Sequence, residues 1–147
     1  MKLSTKGRYG LRAMVDLAEN NEKGPVSIQS IAGRQELSEK YLEQLLGMLK
    51  KAGLVTSIRG HQGGYQIAGD MAAISVGDIL RALEGDLAPV DCGGLKEASS
   101  CRAAKSCVTK YVWKKINDSL EEAVDSITLK ELVEQSRSMQ TGTWTEE

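Results

Sequence analysis

The sequence predicts a mainly α-helical fold with one small β-hairpin and a long helix near the C-terminal end. Two observations predict this class. Apolar residues recur three and four positions apart along most of the chain, and one stretch, LVTSIRGHQGGYQIA, has short β-type runs on either side of a glycine-rich loop. The 147 residues are 41% hydrophobic and include no Phe, which predicts one domain with a mainly aliphatic core.

Three helices are expected in the first third of the chain. The first spans 5–20, the second spans 28–35 after Ser27, and the third follows Ser38 and ends before Gly53. Serine is a favoured N-terminal cap and glycine a common residue just past a helix end. The leucines that predict a buried face on the third helix are Leu42, Leu45, Leu46 and Leu49.

The hairpin and a fourth helix are expected next. The predicted strands cover 54–58 and 65–68, the helix covers 76–83, and Pro89 marks a boundary.

A long amphipathic helix is predicted after residue 107. Its apolar stripe is too long to be buried wholly on a domain this small, which predicts a partner helix; packing on its own domain is the alternative. A short helix, 129–136, follows, and the polar tail, 140–147, is expected to be disordered. The stripe residues expected at a dimer interface are Val108, Val112, Ile116, Leu120 and Ile127.

This order of elements, with a hairpin after three helices, is that of a winged helix-turn-helix, a DNA-binding fold. The first residues of its third helix face base edges in the major groove. Gln can bond adenine at two positions, Glu can accept from cytosine N4, and hydroxyls suit phosphates. The residues of this helix that we expect to contact DNA are Ser38, Glu39, Lys40, Tyr41, Glu43 and Gln44.

The hairpin loop and the N-terminal segment are expected to add contacts to DNA. An arginine on a flexible loop suits the negative potential of a narrow minor groove, and basic side chains meet phosphates. Residues 1–70 carry ten Lys and Arg against seven Asp and Glu, whereas residues 71–147 carry nine against thirteen. The alternatives are a solvated helix face and a plain turn. The expected contacts are Arg59, Gly60 and His61 in the loop, and Lys2, Ser4, Lys6 and Arg8 at phosphates.

All three cysteines of the chain lie within one segment, CGGLKEASSCRAAKSC. Cys92, Cys101 and Cys107 are spaced C-x8-C-x5-C and offer three soft thiolate ligands. Zinc and iron–sulfur clusters both take such ligands, normally four. Nearby Lys and Arg side chains would lower the pKa values of the thiols. The spacing alone leaves open a metal site, a redox pair with a third thiol, and three ordinary buried thiols.

The composition argues against several classes of protein. No apolar run approaches 18 residues and no secretory signal is evident, so cytoplasmic localisation without a membrane partner is expected. The odd number of cysteines argues against a secreted disulfide framework. The stretch GHQGGY lacks the glycine patterns of nucleotide-binding loops, and no nucleophile is paired with a base. We therefore expect a protein that is not an enzyme.

Three stretches together resemble the IscR-like transcription regulators, a family of small winged-helix dimers. They are LSTKGRYGLRAMVDLA, SEKYLEQLLGMLKKAGLVTSIRGHQGGYQIA and the cysteine segment, and the similarity spans roughly residues 1–136. The resemblance implies a homodimer, paired through the long helix in an antiparallel manner, that binds promoter DNA. It also implies an iron–sulfur cluster, with the 2Fe–2S type favoured, on Cys92, Cys101 and Cys107, and control of cluster biogenesis genes.

One position departs from the best-known branch of that family, where a histidine follows the last cysteine by three residues. Here that residue is Lys110, whose ammonium group cannot bind a metal. Asp91, Glu97, a partner-subunit residue or water remain as a fourth ligand. The alternative function is a cluster-free or zinc-containing regulator of cysteine, sulfur or nitric-oxide responses. The expected organisation is a DNA-binding domain over 1–90, a cluster loop over 91–107, dimerisation and short helices over 108–138, and a tail over 139–147.

Overall fold

The computed structural model describes residues 2–92 and 101–142, and within these ranges the regular secondary structure is helical apart from one hairpin. The predicted fold class is confirmed. The helices are α1 (Thr5–Asn20), α2 (Ile28–Gln35), α3 (Glu39–Lys51), α4 (Val76–Glu84), α5 (Thr109–Ser126) and α6 (Leu129–Thr141), and the strands are β1 (Val55–Ile58) and β2 (Gly64–Ile67). Short 3-10 turns lie at Asn21–Lys23 and Met71–Ala73.

Serine side chains fix the starts of the first three helices. The Ser27 hydroxyl accepts from the backbone N–H of Ser30 at 3.2 Å, and the Ser38 hydroxyl accepts from that of Tyr41 at 3.1 Å. Ser4 caps α1 by accepting from the N–H of Lys6 at 3.2 Å. Each bond satisfies a donor that the helix itself leaves unpaired, so the two predicted caps, Ser27 and Ser38, are confirmed.

The core lies where α1, α2, α3 and α4 meet. The four leucines of the predicted α3 face are buried, each with 1% exposure or less, against Met14 and Leu17 of α1. Burying a leucine side chain contributes about 1.5–3 kcal/mol, so this face orients α3 firmly. Its opposite face is left to solvent.

The hairpin forms the wing beside α3. Val55 pairs with Ile67 and Ile58 with Gly64 in an antiparallel register, and Val26 adds a single bridge to Tyr65. At the end of α3, the Lys50 ammonium group donates to the Ser57 hydroxyl at 2.6 Å, which ties α3 to β1.

The two C-terminal helices behave differently from each other. α5 packs on α4 through its second half, where Arg81 forms a bidentate ion pair with Asp125 at 2.7 and 3.0 Å. α6 returns to α1 and buries Leu129 and Val133 in the main core.

The predicted end of the last helix is wrong by five residues. α6 continues to Thr141, where Gly142 takes a left-handed conformation and donates back to the helix. The first residues of the predicted tail are therefore helical. The rest of it, 143–147, lies outside the described residues. Across 2–92 and 101–142, none of the helices combines the length and apolar character that crossing a bilayer requires.

Candidate nucleic-acid interface and cysteine segment

The solvent face of α3 presents polar side chains over its first two turns. Ser38, Glu39, Lys40, Glu43 and Gln44 are all exposed, and they lie opposite the buried leucine face. The N-terminal end of a helix carries partial positive charge, so it suits contact with DNA. The structure thus brings five of the six predicted α3 contacts onto one accessible surface.

Tyr41, the sixth, is only half-exposed because it packs against α1. Its ring makes an edge-to-face contact with Tyr9, with centroids 6.3 Å apart and planes at 85°. Its hydroxyl donates to the Thr5 hydroxyl at 3.3 Å. Tyr41 therefore links α3 to the first turns of α1, a role that the sequence pattern did not indicate.

The predicted wing contacts lie together at the exposed tip of the hairpin. Arg59, Gly60 and His61 are all exposed. Gly60 has φ +116°, a conformation that favours glycine, and a Cβ on Gly63 would overlap with the carbonyl of Ile58. The tight turn therefore requires these glycines and aims the tip away from the core.

The predicted phosphate contacts divide into two groups. Lys2, Lys6 and Arg8 are exposed around the start of α1. Ser4 is also exposed, but its hydroxyl donates to Glu84 Oε1 at 2.6 Å. Ser4 therefore serves an intramolecular contact, while its contact with a phosphate stays a prediction.

An ion pair between a buried aspartate and an exposed arginine fixes α2 on α1. Asp16 is 4% exposed and accepts from Arg34 Nη2 at 2.7 Å and Nε at 2.9 Å, and from Gln35 Nε2 at 2.9 Å. The hydrogen bond to Asp16 raises the pKa of Arg34. These hydrogen bonds hold the end of α2 against α1. Sequence reasoning does not find them, because a single Asp in an amphipathic pattern carries no signal of burial.

The three cysteines are exposed, and none forms a disulfide among the described residues. Cys92 precedes segment 93–100, which lies outside the described residues together with the candidate ligand Glu97. Over 2–92 and 101–142, no group of three or more Cys, His, Asp or Glu is close enough to hold a metal ion. Three thiolates suit iron or zinc as donors, but the described residues do not gather them into one site.

Cys107 lies in a setting that favours its thiolate. Its sulfur is 3.1 Å from the Thr109 hydroxyl, and this hydrogen bond lowers the pKa of the thiol, helped by the backbone N–H of Lys110 at the start of α5. A thiolate is the form that binds metals and reacts with electrophiles. Lys110, the departure from the family pattern, thus contributes a backbone donor and a positive charge.

The first half of the α5 stripe is open to solvent. Val108 is 80% exposed, Val112 is 45% exposed and Tyr111 is 68% exposed, whereas Ile116 and Leu120 are half-buried. Ile127 is 38% exposed, and the polar residue Asn117 is buried at 3% exposure. An apolar patch of this kind marks an interaction surface.

The sequence of this chain is similar to those of known transcriptional regulators. The family model Rrf2, an iron-dependent transcriptional regulator, matches residues 3–135. CymR of Bacillus subtilis is 46% identical over 132 residues, which are 90% of this chain and 89% of CymR. IscR of Escherichia coli is 41% identical over 133 residues, which are 90% of this chain and 80% of IscR. These relatives are transcriptional regulators, so the prediction that the chain is not an enzyme is confirmed.

Solved structures of CymR and IscR proteins are also similar to this chain in fold and sequence. The structure of T. potens IscR has a TM-score of 0.74 and 46% identity, and covers 100% of this chain and 94% of its own. The structure of CymR, the global cysteine regulator of B. subtilis, has a TM-score of 0.74 and 45% identity, and covers 91% of this chain and 97% of its own. The chain belongs to the Rrf2 family of DNA-binding transcriptional regulators, as an IscR-like member.

Proposed function

We propose that the chain is a cytoplasmic homodimer that reads promoter DNA with α3 and the wing, and that its cysteine segment holds an iron–sulfur cluster that adjusts this binding. The observation that carries the DNA-reading part is the exposed polar face of α3, held over a buried leucine face and flanked by the wing. The cluster is favoured to be of the 2Fe–2S type, and the target genes are those of iron–sulfur cluster biogenesis.

Base reading by α3 is tested with Gln44→Ala, because Gln44 is exposed on the polar face of α3 and a glutamine can bond adenine at two positions. The wild-type protein is used to enrich binding sites from a random-sequence library, and both proteins are titrated against the enriched duplex and its single-base variants. We expect Gln44→Ala to lose about 1–3 kcal/mol of discrimination at one or two positions. Gln135→Ala, at an exposed position on α6, is the matched control. An equal loss on every sequence would reject the base-reading role.

The wing is tested with Arg59→Ala. Removing the guanidinium should weaken binding and reduce the preference for sites with a narrow minor groove. Lys130→Ala removes an exposed positive charge on α6 and controls for the change in net charge. Unchanged affinity for Arg59→Ala would remove the wing from the interface.

The cluster proposal rests on donor chemistry and on the relatives. Cys92, Cys101 and Cys107 are the only cysteines of the chain, and the pKa of Cys107 is lowered. When bound, a cluster supplies a site that responds to oxygen, iron supply or redox state. Anaerobic purification should yield a red-brown protein with iron and sulfide in equal amounts. The triple Cys→Ser variant should be colourless, and a colourless wild-type protein that contains zinc would reject the cluster.

A second function has a specific observation in its favour. CymR, a global cysteine regulator, is 46% identical to this chain, and Lys110 stands where the best-known IscR-like branch has its histidine ligand. A cluster-free regulator of cysteine or sulfur metabolism, or of the nitric-oxide response, would use the same DNA-binding surface. In that case the triple Cys→Ser variant would bind DNA as the wild type does.

The homodimer is supported by both the apolar patch and the charges of α5. Between 109 and 117 the helix has three lysines and no acid, and between 118 and 126 it has four acids and no base. Two copies of α5 in antiparallel contact would place each basic half beside an acidic half. Val112→Asp should give one chain's mass in sedimentation and the wild type twice that mass. Lys114→Ala changes the net charge by the same amount on the side of α5 away from the stripe, where Lys114 is exposed, and should remain dimeric.

A further inference from the structure

Glu84, the last residue of α4, lies against the first turn of α1. Its Oε1 accepts from the Ser4 hydroxyl at 2.6 Å, the Ser4 backbone N–H at 2.8 Å and the Gly7 backbone N–H at 2.9 Å. The bond from the Ser4 hydroxyl, followed by the backbone donors, lowers the pKa of Glu84. The start of a helix has unpaired N–H groups and partial positive charge, so this carboxylate stabilises the start of α1.

The two helices approach each other too closely for any side chain to lie between them. A Cβ on Gly7 would lie 2.6 Å from Glu84 Oε1, and a Cβ on Gly10 would overlap with the Leu83 side chain. Both glycines are buried. Close-packed surfaces of this kind transmit displacements rather than absorb them, so the end of α4 determines where α1 begins.

Glu84 is also close in the chain to the cysteine segment, which begins at Cys92. Gly85 follows Glu84 with φ +84°, and the chain then runs through residues 86–91 to Cys92. That linker, the N-terminal segment and α5 enclose a common cavity. The residues that line it include Lys2, Leu3, Asp86, Leu87, Leu120 and Val124.

The start of α1, which Glu84 contacts, is also in contact with α3. Thr5 and Tyr9, in the first two turns of α1, contact Tyr41 through its hydroxyl and its ring. Tyr41 lies in the first turn of α3, and its backbone N–H is held by Ser38. The linker before Cys92 is thus connected with the start of α3 in three steps: the chain that follows Glu84, the hydrogen bonds of Glu84 to the first turn of α1, and the contacts of Tyr41 with Thr5 and Tyr9.

We infer that Glu84 is a positioning residue for DNA binding, which sets the start of α1 and, through Tyr41, the start of α3, and so couples the linker before Cys92 to the DNA-binding surface. This inference rests on the proposed DNA-binding function. It assigns Glu84 no contact with DNA itself. Glu84 acts by positioning the residues at the start of α1 that are expected to contact phosphates.

The test compares the salt dependence of DNA binding among variants of the full chain. Glu84→Leu removes the acceptor, Gly7→Ala displaces it from the α1 side, and Glu84→Gln keeps one acceptor oxygen. The probe is a duplex of roughly 30 base pairs enriched from a random library by the wild type. In the first two variants the slope of log K against log salt should become shallower by about 1 for each phosphate that the protein no longer neutralises. Glu84→Gln and Gly33→Ala, whose Cβ meets nothing within 4 Å, should keep the wild-type slope.

A purely structural role would lower the fraction of active protein and leave the slope unchanged, and that result would overturn the inference. A second measurement, made where Glu84→Leu fails to fold, combines Gly7→Ala with Tyr41→Phe. The double variant should weaken binding by less than the product of the two single fold-changes, because both act on one connection. A simple product would also overturn the inference. If the wild type enriches no sequence, the proposed DNA reading fails, whereas unchanged variants with a binding wild type reject only the role of Glu84.

Discussion

Replacing Arg34 by alanine should destabilise the fold much more than replacing Arg81, although both arginines form bidentate ion pairs. The closest N–O distance is 2.7 Å in each pair. The difference lies in the carboxylate, since Asp16 is 4% exposed whereas the side chain of Asp125 is 46% exposed. An Asp125 deprived of Arg81 can be hydrated, but an Asp16 deprived of Arg34 keeps only Gln35 as a side-chain donor.

The expected magnitudes follow from this burial. Removing one partner of a fully buried pair costs about 3–5 kcal/mol, and the side chain of Arg34 is 41% exposed, which reduces the figure to about 2–3 kcal/mol. An exposed pair such as that of Arg81 contributes about 0–1 kcal/mol. For a chain of this size each kcal/mol shifts the Tm by roughly 2–4 °C. Arg34→Ala should therefore lower the Tm by roughly 4–12 °C, and Arg81→Ala by at most about 4 °C.

The assay is thermal unfolding followed by circular dichroism, with urea unfolding as an independent measure of the free energy. Both variants and the wild type must be compared at one protomer concentration, because a dimer's Tm depends on it. Equal Tm shifts for the two variants would refute the reasoning that burial of the carboxylate decides the cost.

Three further predictions concern single positions. Gly10→Ala should cost about 1–3 kcal/mol by forcing α1 from α4, whereas Gly33→Ala should be neutral or stabilise by up to about 1 kcal/mol; urea unfolding separates these results. Thr109→Ala should raise the pKa of Cys107 and slow its alkylation by iodoacetamide at pH 7, and an unchanged rate by mass spectrometry would contradict the hydrogen-bond argument. The pKa of Glu84 is lowered in the folded state, so its stabilisation is present above its ordinary pKa of 4.5 and lost as the pH falls through the lower folded value. The Tm difference between wild type and Glu84→Gln should thus be constant from about pH 7 to 5.5 and shrink below about pH 4.5, and a difference that grows on acidification would be inconsistent with this sign.

Local signals allow much of the fold to be predicted from the sequence. Ser27 and Ser38 mark helix starts because a hydroxyl before an apolar periodic run satisfies the first backbone donors. The predicted end of α6 is wrong because its last turns are polar, so no periodic signal distinguishes them from a disordered tail. α6 nevertheless continues to Thr141 and ends at Gly142, which takes a left-handed conformation.

Contacts between distant parts of the chain could not be predicted. Glu84 and Ser4 are 80 residues apart, and neither has a local pattern that indicates the other. Tyr41 is expected to contact DNA because it lies in the first turn of α3. It also packs on Tyr9 of α1, a contact between distant residues that no local pattern indicates. For the cysteines, residue types indicate the chemistry, while the geometry depends on how the intervening chain folds.

The role of a cluster in adjusting DNA binding is tested most directly by measuring one protein's affinity for the enriched duplex with and without its cluster. The wild type, purified anaerobically, is titrated before and after the cluster is removed by chelation, alongside the triple Cys→Ser variant. If the cluster acts on DNA binding, affinity or site preference changes for the wild type on cluster removal, and the stripped protein then matches the triple variant. Identical binding in all three states would contradict that role and leave a regulator whose cysteines do not act on DNA binding.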